Sequence, residues 1–288
     1  MHVYADLGEF LRARRARLRP EDIGLATYGE RRRVPGLRRE EIALLAGVSA
    51  SYYSRLEQGH SLNASPEVLD AIARALQLDD HETAHMADLA RAPKRRTAAP
   101  QETPERVTPA MRQLLRTMDD VPAVVTGRRG DVLAWNGLGH ALFAGHLDFN
   151  APERPRERPN TAELVFLDPH IRALYTDWDS KAQAVVEHLR LVAGRHPDDP
   201  RLASLIGHLV LQSPEFAELW TDHRVHACDT AVLDLHHPLI GSLTITQQTL
   251  TPSHSPEQAL VVATTEPGTA SEAALTLLAH ATTGSHQR

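Results

Sequence analysis

Histidine is the residue type with the clearest potential for metal chemistry, and the 288-residue chain contains 17 histidines. The densest group is His223, His226, His236 and His237. His236 and His237 are adjacent, so in a strand their side chains would point to opposite faces of the sheet. No cysteine and histidine pair has the spacing of a zinc site. We therefore predict no metal site and no cofactor.

Catalytic motifs do not stand out in the sequence. It contains no nucleophile elbow, no phosphate-binding P-loop and no dinucleotide fingerprint. Asp177 and Asp179 flank Trp178 and come nearest to a pair of catalytic carboxylates. Acidic residues in a turn are more often solvated caps. We therefore expect no catalytic residues and no enzyme activity.

Arginine offers a third kind of chemistry, the binding of phosphate groups. Arg31, Arg32, Arg33, Arg38 and Arg39 lie close together in the sequence. The formal net charge of −6 does not favour a nucleic-acid partner by itself. Residues 1–96 hold 16 basic against 14 acidic residues, however, while the remainder holds 15 against 23. The local cluster in the mildly basic part is the feature that indicates nucleic acid.

Two short predicted helices follow these arginines. The first, residues 40–46, has apolar residues at helical spacing, namely Ile42, Ala43, Leu45 and Ala46. Gly47 suits the left-handed conformation that ends a helix, and Ser49 is a favoured N-cap for the second helix, residues 50–58. Tyr53 and Leu56 are spaced to share the buried face of that helix. This arrangement predicts a helix-turn-helix, with a plain helical hairpin as the alternative.

The order AGVS, four further residues, then SRLE and a glycine at Gly59 resembles the XRE (Cro/repressor-like) helix-turn-helix family. The resemblance implies that the second helix enters the major groove of double-stranded DNA. Ala50, Ser51 and Arg55 would then face the bases, and Arg39, Tyr52 and Gln58 would lie near phosphates. Arg38 completes the predicted DNA-binding set. The resemblance also implies that Arg15, in a first helix over residues 7–18, pairs with Glu57.

The remaining pattern predicts a second domain of a different class. A proline-rich stretch over residues 93–108 predicts a linker, which separates an all-α five-helix domain, residues 1–92, from residues 109–282. That second part begins with a helix and a β-hairpin, residues 123–126 and 132–135. Several helices follow, then strands over residues 225–235, 241–250 and 258–265, and a last helix capped by Ser271. This order indicates an α+β domain with an antiparallel sheet and a helical cover.

Several segments of this second part resemble the MmyB-like ligand-binding domain, a PAS-like fold that follows XRE domains of this type. They are DVLAWN (131–136), FLDP (166–169), Trp178, SPEFAELW (213–220), HPLIG (237–241) and TEPG (265–268). The resemblance implies a transcription factor of the kind described in actinobacteria, one branch of which is associated with fatty-acid binding. We therefore expect a small apolar ligand, such as a fatty acyl chain or a secondary metabolite, between sheet and cover.

The predicted ligand-binding residues come from both layers. Those from the helical side are Phe143, Leu164, Phe166, Leu174, Tyr175, Trp178 and Leu189, and Trp135 comes from the sheet. Asn136, at the junction of strand and helix, is the predicted polar group that orients the ligand. The proline-rich segment at residues 151–159 could close the mouth of such a site. Most of these apolar residues would be equally suited to a core, so a dimerisation or protein-interaction module without a ligand is the alternative.

Compartment and assembly complete the predictions. The single cysteine, Cys228, excludes an internal disulfide and is typical of a reducing cytoplasm. No apolar run reaches 18 residues, and the N-terminus lacks the long apolar segment of a secretory signal, so we expect no membrane association. By resemblance, we expect a homodimer on a palindromic operator.

Overall fold

The computed structural model describes residues 7–23, 36–59, 64–90, 105–221, 230–253, 255 and 257–285. They fall into two compact units, one within residues 1–97 and 187–227, the other within 98–186 and 228–288. No helix in these described stretches is long and apolar enough to cross a membrane.

Five short helices form the N-terminal part of the first unit. They are α1 (Leu7–Arg17), α2 (Arg39–Leu45), α3 (Ala50–Glu57), α4 (Pro66–Ala75) and α5 (Asp80–Ala90), with a 3-10 turn, Pro20–Ile23, after α1. Their apolar faces meet in one core, where Phe10, Ile42, Tyr53, Ile72 and Met86 are fully buried. The five predicted helices are confirmed, with small shifts at their ends.

Thirteen further helices and strands follow in the described part. They are α6 (Pro109–Thr117), β1 (Ala123–Gly127), β2 (Val132–Trp135), α7 (Gly137–Ala144), α8 (Thr161–Leu167), α9 (Pro169–Leu174), α10 (Trp178–Arg195), α11 (Pro200–Gln212), α12 (Pro214–Thr221), β3 (Thr230–His237), β4 (Gly241–Leu250), β5 (Gln258–Thr264) and α13 (Ala270–Ser285). A 3-10 turn, Ala151–Glu153, lies between α7 and α8.

Local signals fix the turn between α2 and α3 as the sequence predicts. Gly47 has a φ of +67°, and the Ser49 hydroxyl accepts a hydrogen bond from the Tyr52 N–H at 3.2 Å. The predicted burial of Leu45 is wrong, because 41% of this residue is exposed. The seven-residue helix α2 reaches the core through Ile42 and Ala43 instead.

The second unit is built on one antiparallel sheet with the strand order β2-β1-β5-β4-β3. The hairpin of β1 and β2 pairs Val124 with Trp135, and the hairpin of β3 and β4 turns at Gly241, whose φ is +75°. The predicted α+β domain with an antiparallel sheet is therefore confirmed.

Helices cover both faces of the sheet near β1. On one face Ala123 and Val125 pack with Leu115 of α6. On the other face Val124 and Trp135 pack with Ala144 of α7. Because neighbouring strand residues point to opposite faces, the apolar run of β1 serves two cores at once.

Some local predictions in the second half are wrong. Ser271 does not cap α13 but lies inside it, where its hydroxyl accepts the Thr244 N–H at 2.9 Å. The cap is Thr269, which accepts the Glu272 N–H at 3.3 Å. The start of the predicted strand, residues 225–229, lies outside the described residues.

The second half of α10 and the helices α11 and α12 belong to the first unit. Leu191 of α10 is buried in the same apolar core as the five N-terminal helices. Most of the predicted linker, up to residue 104, lies outside the described residues. The domain limits given by the sequence therefore stay a prediction.

Candidate DNA-binding surface and ligand-binding region

Helix α3 separates its apolar and polar residues cleanly. Tyr53 and Leu56 are fully buried and anchor the helix in the core. The predicted DNA-binding residues of this segment lie on the other side, where Ala50, Ser51, Arg55 and Gln58 are exposed and Tyr52 is half-buried. The result is a short helix that presents small and polar side chains to solvent.

A buried carboxylate fixes the position of α3. Glu57 is 1% exposed, and its Oε1 accepts a hydrogen bond from Arg15 Nε of α1 at 2.6 Å, as the family resemblance implies. Its Oε2 accepts a second bond from Arg39 Nε of α2 at 2.6 Å. Arg15 also donates to the Leu37 carbonyl at 2.6 Å. One side chain thus joins three helices through charge-assisted hydrogen bonds.

The electrostatics of Glu57 follow from these contacts. Burial alone would raise the pKa of Glu57, but the hydrogen bonds and charges of Arg15 and Arg39 outweigh burial and hold that pKa below its ordinary value. Glu57 therefore stays ionised near neutral pH, and the ion cluster is an integral part of the fold.

The two arginines at the start of α2 differ in their surroundings. Arg38 is exposed at the N-cap position, and its backbone N–H donates to Glu41 Oε2 at 2.7 Å. Arg39 is bound to Glu57, with 39% of its side chain exposed. Sequence reasoning placed Arg39 near phosphate and missed its bond to Glu57, because no local pattern reveals a contact between α2 and the end of α3. Arg31, Arg32 and Arg33 lie outside the described residues.

Trp135 and Phe143 come together on the face of the sheet that α7 covers. Trp135 is buried in the cluster of Val124 and Ala144, and Phe143 packs against that cluster. The indole N–H of Trp135 donates to the Phe149 carbonyl at 2.8 Å. This pair therefore forms a core contact with its polar edge already satisfied.

Phe166 and Trp178 form a second group. Their rings meet edge to face, with centroids 5.7 Å apart, and the Trp178 indole N–H donates to the Val165 carbonyl at 2.8 Å. The guanidinium of Arg172 lies 3.9 Å from the centre of the Trp178 ring, which is a cation–π contact. These contacts connect α8, α9 and the start of α10.

The other predicted ligand residues are distributed between the units. Leu174 is buried, Leu164 is half-buried, and Tyr175 forms an antiparallel bridge with Leu235 of β3. Leu189 is buried as well, but it lies in the first compact unit, whereas the other predicted ligand residues lie in the second.

Asn136 has a structural role in the fold. Its side-chain oxygen accepts the N–H groups of Ala123 and Gly139 at 3.0 and 2.7 Å. Its amide nitrogen donates to the carbonyls of Met118 and Val121 at 2.6 and 2.7 Å. Both amide hydrogens and both acceptor positions are therefore used. Asn136 is thus the N-cap of α7, and its predicted role of orienting a ligand stays a prediction.

The proline-rich segment over residues 151–159 is held by hydrogen bonds. Arg154 pairs with Asp148 and Glu157, both at 2.6 Å, and Arg158 Nε donates to the Pro152 carbonyl at 3.0 Å. Val132 of β2 donates its N–H to Pro159 at 2.7 Å. The segment is therefore fastened to the hairpin.

The histidines of the described residues do not converge on one point. Within the described residues, no group of three or more His, Cys, Asp or Glu side chains is placed to hold a metal ion. His236 is exposed and His237 buried, as expected for neighbours in a strand, whereas His223 and His226 lie outside the described residues. His146, which sequence reasoning did not single out, pairs with Asp168 at 2.8 Å.

Comparison with known families agrees with this architecture. Residues 6–86 match the profile of a helix-turn-helix domain. Residues 107–278, more than half of the chain, match the profile of the MmyB-like transcription regulator ligand binding domain. A search of curated proteins gave no significant match. The chain therefore belongs to the MmyB-like transcription regulators, with an N-terminal helix-turn-helix domain for DNA and a C-terminal ligand-binding domain.

Proposed function

We propose that this regulator reads a specific DNA sequence with α3 and responds to one small apolar ligand in its C-terminal domain, in the cytoplasm and without enzyme activity. The observation that carries the proposal is that α3 is firmly held on one side and exposed on the other. Its apolar side is fixed in the core and its end is clamped through Glu57, while Ser51 and Arg55 remain exposed. A firmly held helix with exposed polar side chains is what recognition in the major groove requires.

The proposed roles within this surface follow from the resemblance to the XRE motif and from side-chain chemistry. Arg55 is the principal base reader, because a guanidinium can bond to both acceptors of guanine, with Ala50 and Ser51 beside it. Arg38, Tyr52 and Gln58 contact the DNA backbone. Arg39 does the same with its outer edge, since its Nε is bound to Glu57. Replacing Arg38 by alanine should weaken binding to all duplexes alike and flatten its salt dependence.

For the ligand we propose an apolar molecule such as a fatty acyl chain or a hydrophobic metabolite. The support is an aromatic cluster at the junction of α8 and α10, where Phe166 packs on Trp178. Leu174 and Tyr175, in and directly after α9, are buried as well. Apolar side chains with few polar groups are typical of small-molecule sites. Trp135 and Phe143 form a second apolar group, on the face of the sheet that α7 covers.

A specific observation also favours the alternative, a C-terminal domain that only dimerises or binds another protein. Trp135 and Trp178 are 7% and 9% exposed, and both indole N–H groups are bonded to main-chain carbonyls. Residues in that state are equally consistent with a solid core.

A screen separates the two functions. The full-length protein is purified under native conditions, denatured and analysed by mass spectrometry for released small molecules, then titrated with acyl chains of increasing length by calorimetry. The ligand function predicts saturable binding that the variant Phe166→Trp weakens by overfilling the aromatic cluster. Absence of both a released molecule and any heat of binding would leave the interaction module.

Assembly has its own test. We propose a homodimer on a palindromic operator, because one helix-turn-helix covers only a short half-site. Light scattering of the free protein, and of the protein with a duplex recovered by selection from a random-sequence pool, should give the mass of a dimer. A monomer in both samples would contradict the proposal.

A further inference from the structure

A helix from the region matched by the ligand-binding domain supplies part of the helix-turn-helix core. Leu191 of α10 is 8% exposed and belongs to the same apolar cluster as Phe10 of α1 and Met86 of α5. α10 is a continuous helix of 18 residues. Its residues up to Val186 are counted with the second unit, and those from Glu187 onward with the first.

α10 approaches α5 closely at Gly194. A β-carbon at this position would lie 2.8 Å from Cε1 and 2.9 Å from Nδ1 of His85, and 3.5 Å from Leu89. His85 is fully buried, and its ring meets Phe10 of α1 edge to face at 5.3 Å. A side chain at position 194 would therefore have to displace a buried, packed ring, and glycine is the residue that permits this approach.

Charged groups reinforce the apolar contact. Arg14 of α1 is 7% exposed and forms an ion pair with Glu82 of α5. Burial lowers the pKa of Arg14, while the carboxylates of Glu82 and of Glu187 on α10 oppose that change. Arg195 of α10 pairs with Asp88 of α5, with Nε and Oδ2 3.2 Å apart. Since buried charges persist only where they are compensated, this part of α10 is matched to α1 and α5 in charge as well as in shape.

α10 is also bound to α12. Arg190 is 1% exposed, and its guanidinium donates to the Trp220 carbonyl at the end of α12 while lying 4.9 Å from the centre of the Trp220 ring. The last carbonyls of a helix lack partners within it, so an arginine is a suitable group to bind them.

Helix α1, which packs against α10 and α5, also contacts α3, the helix that we propose reads DNA. Arg15 of α1 is bonded to Glu57 at the end of α3, and Gly8 of α1 packs so closely on the Glu57 carbonyl that a β-carbon would collide with it. A displacement of α1 therefore changes the position of α3.

We propose that residues 187–195 of α10 are a docking element of the DNA-binding unit, which holds α1 against α5 and so determines how firmly α3 is placed for DNA. The proposal rests on the DNA-binding part of the proposed function and is independent of the ligand.

The test compares two glycines of the full-length protein. Gly194→Leu places a side chain against His85, whereas Gly207→Leu places it on α11, where a β-carbon has nothing within 4 Å. Both variants are studied by hydrogen exchange and titrated with a duplex selected from a random-sequence pool by the wild-type protein. In Gly194→Leu, amides of α1 and α5 should exchange about tenfold faster or more, and DNA affinity should fall by a similar factor, because overpacking displaces the helices. Gly207→Leu should resemble the wild type in both measurements.

Leu191→Ala is the second variant, since it removes an apolar contact without overpacking and should show the same pattern at smaller size. Unchanged exchange in α1 and α5 together with unchanged DNA affinity, in whichever of the two variants folds, would overturn the proposal. If the wild-type protein selects no duplex at all, the DNA-binding function fails, while the exchange comparison still decides whether α10 is a docking element.

Discussion

The two units hold their candidate functional residues in opposite ways. In the helix-turn-helix, the buried Glu57 fixes the scaffold, and the proposed base reader Arg55 is exposed. In the second unit, the proposed ligand residues Trp135 and Trp178 are themselves buried and hydrogen-bonded. The difference reflects the partners. A DNA-binding surface must stay open to a charged duplex, whereas exposed aromatic surface in water is unfavourable, so an apolar site resembles a core until a ligand occupies it.

The largest expected effect tests the buried ion cluster of Glu57 with Arg15 and Arg39. Glu57→Gln removes the charge that compensates Arg15 and Arg39, and should lower the free energy of unfolding of the first unit by about 3–5 kcal/mol. Because the pKa of Glu57 is held below its ordinary value, this stabilisation is complete above about pH 4.3 and is lost as the pH falls through the lowered pKa.

The matched control is Glu40→Gln, at an exposed glutamate of α2. Denaturant unfolding followed by circular dichroism measures both variants. If both variants lose the same small amount of unfolding free energy, Glu57 is not the residue that fixes the helices. The proposed difference between the two units would then fail.

A smaller effect tests the structural role of Asn136 in the second unit. Asn136→Ala removes the cap of α7 and leaves the partly buried carbonyls of Met118 and Val121 without their donor, so we expect a loss of about 2–4 kcal/mol in the free energy of unfolding. Asn150→Ala, at an exposed asparagine whose side chain makes no cap hydrogen bond, should lose much less. Thermal unfolding without ligand gives the comparison. An unchanged stability with abolished acyl-chain binding would instead support the role of orienting a ligand.

The smallest effect is a pH dependence confined to the second unit. His237 Nε2 donates to the Ala141 carbonyl at 3.0 Å, and Nδ1 accepts the Leu239 N–H at 3.2 Å, so the ring is neutral. Burial, together with the charge of His170, lowers the pKa of His237. The contribution of His237 to the stability of the fold is complete above about pH 6.5. It decreases as the pH falls from there to the lowered pKa, because the unfolded chain binds the proton first.

His237→Gln should therefore reduce the loss of thermal stability between pH 7.5 and 5.5, while His236→Gln, at the exposed neighbour, should keep it. Melting curves of the two variants at both pH values provide the measurement. Identical pH dependence in the two would show that another group is responsible.

Much of the fold was predictable because its signals are local. Gly47, Ser49 and the apolar stripes fix α2, α3 and their turn, and β4 has the limits expected from its alternating residues. The failures were also local, as in the choice of Ser271 over Thr269 as the cap of α13. Two neighbouring hydroxyl residues offer the same signal, and only tertiary contacts decide between them.

The site was less predictable, because its decisive contacts are remote in sequence. Arg15 was paired with Glu57 through a family resemblance, but the bond of Arg39 to the same carboxylate has no sequence pattern. The place of Leu191 in the helix-turn-helix core was also unforeseen, since its helical stripe indicates a buried face without naming the partner. Periodicity shows that a residue is buried and leaves open which residues bury it.

The most direct test of the central claim is a titration of selected and scrambled duplexes with the wild-type protein, Arg55→Ala and the control Arg74→Ala, which changes an exposed arginine of α4. We predict that Arg55→Ala costs about 1–3 kcal/mol on the selected duplex and little on the scrambled one, because a base contact is lost. Arg74→Ala should leave the preference for the selected duplex intact. An equal loss for Arg55→Ala on both duplexes would contradict the assignment of α3 to the major groove.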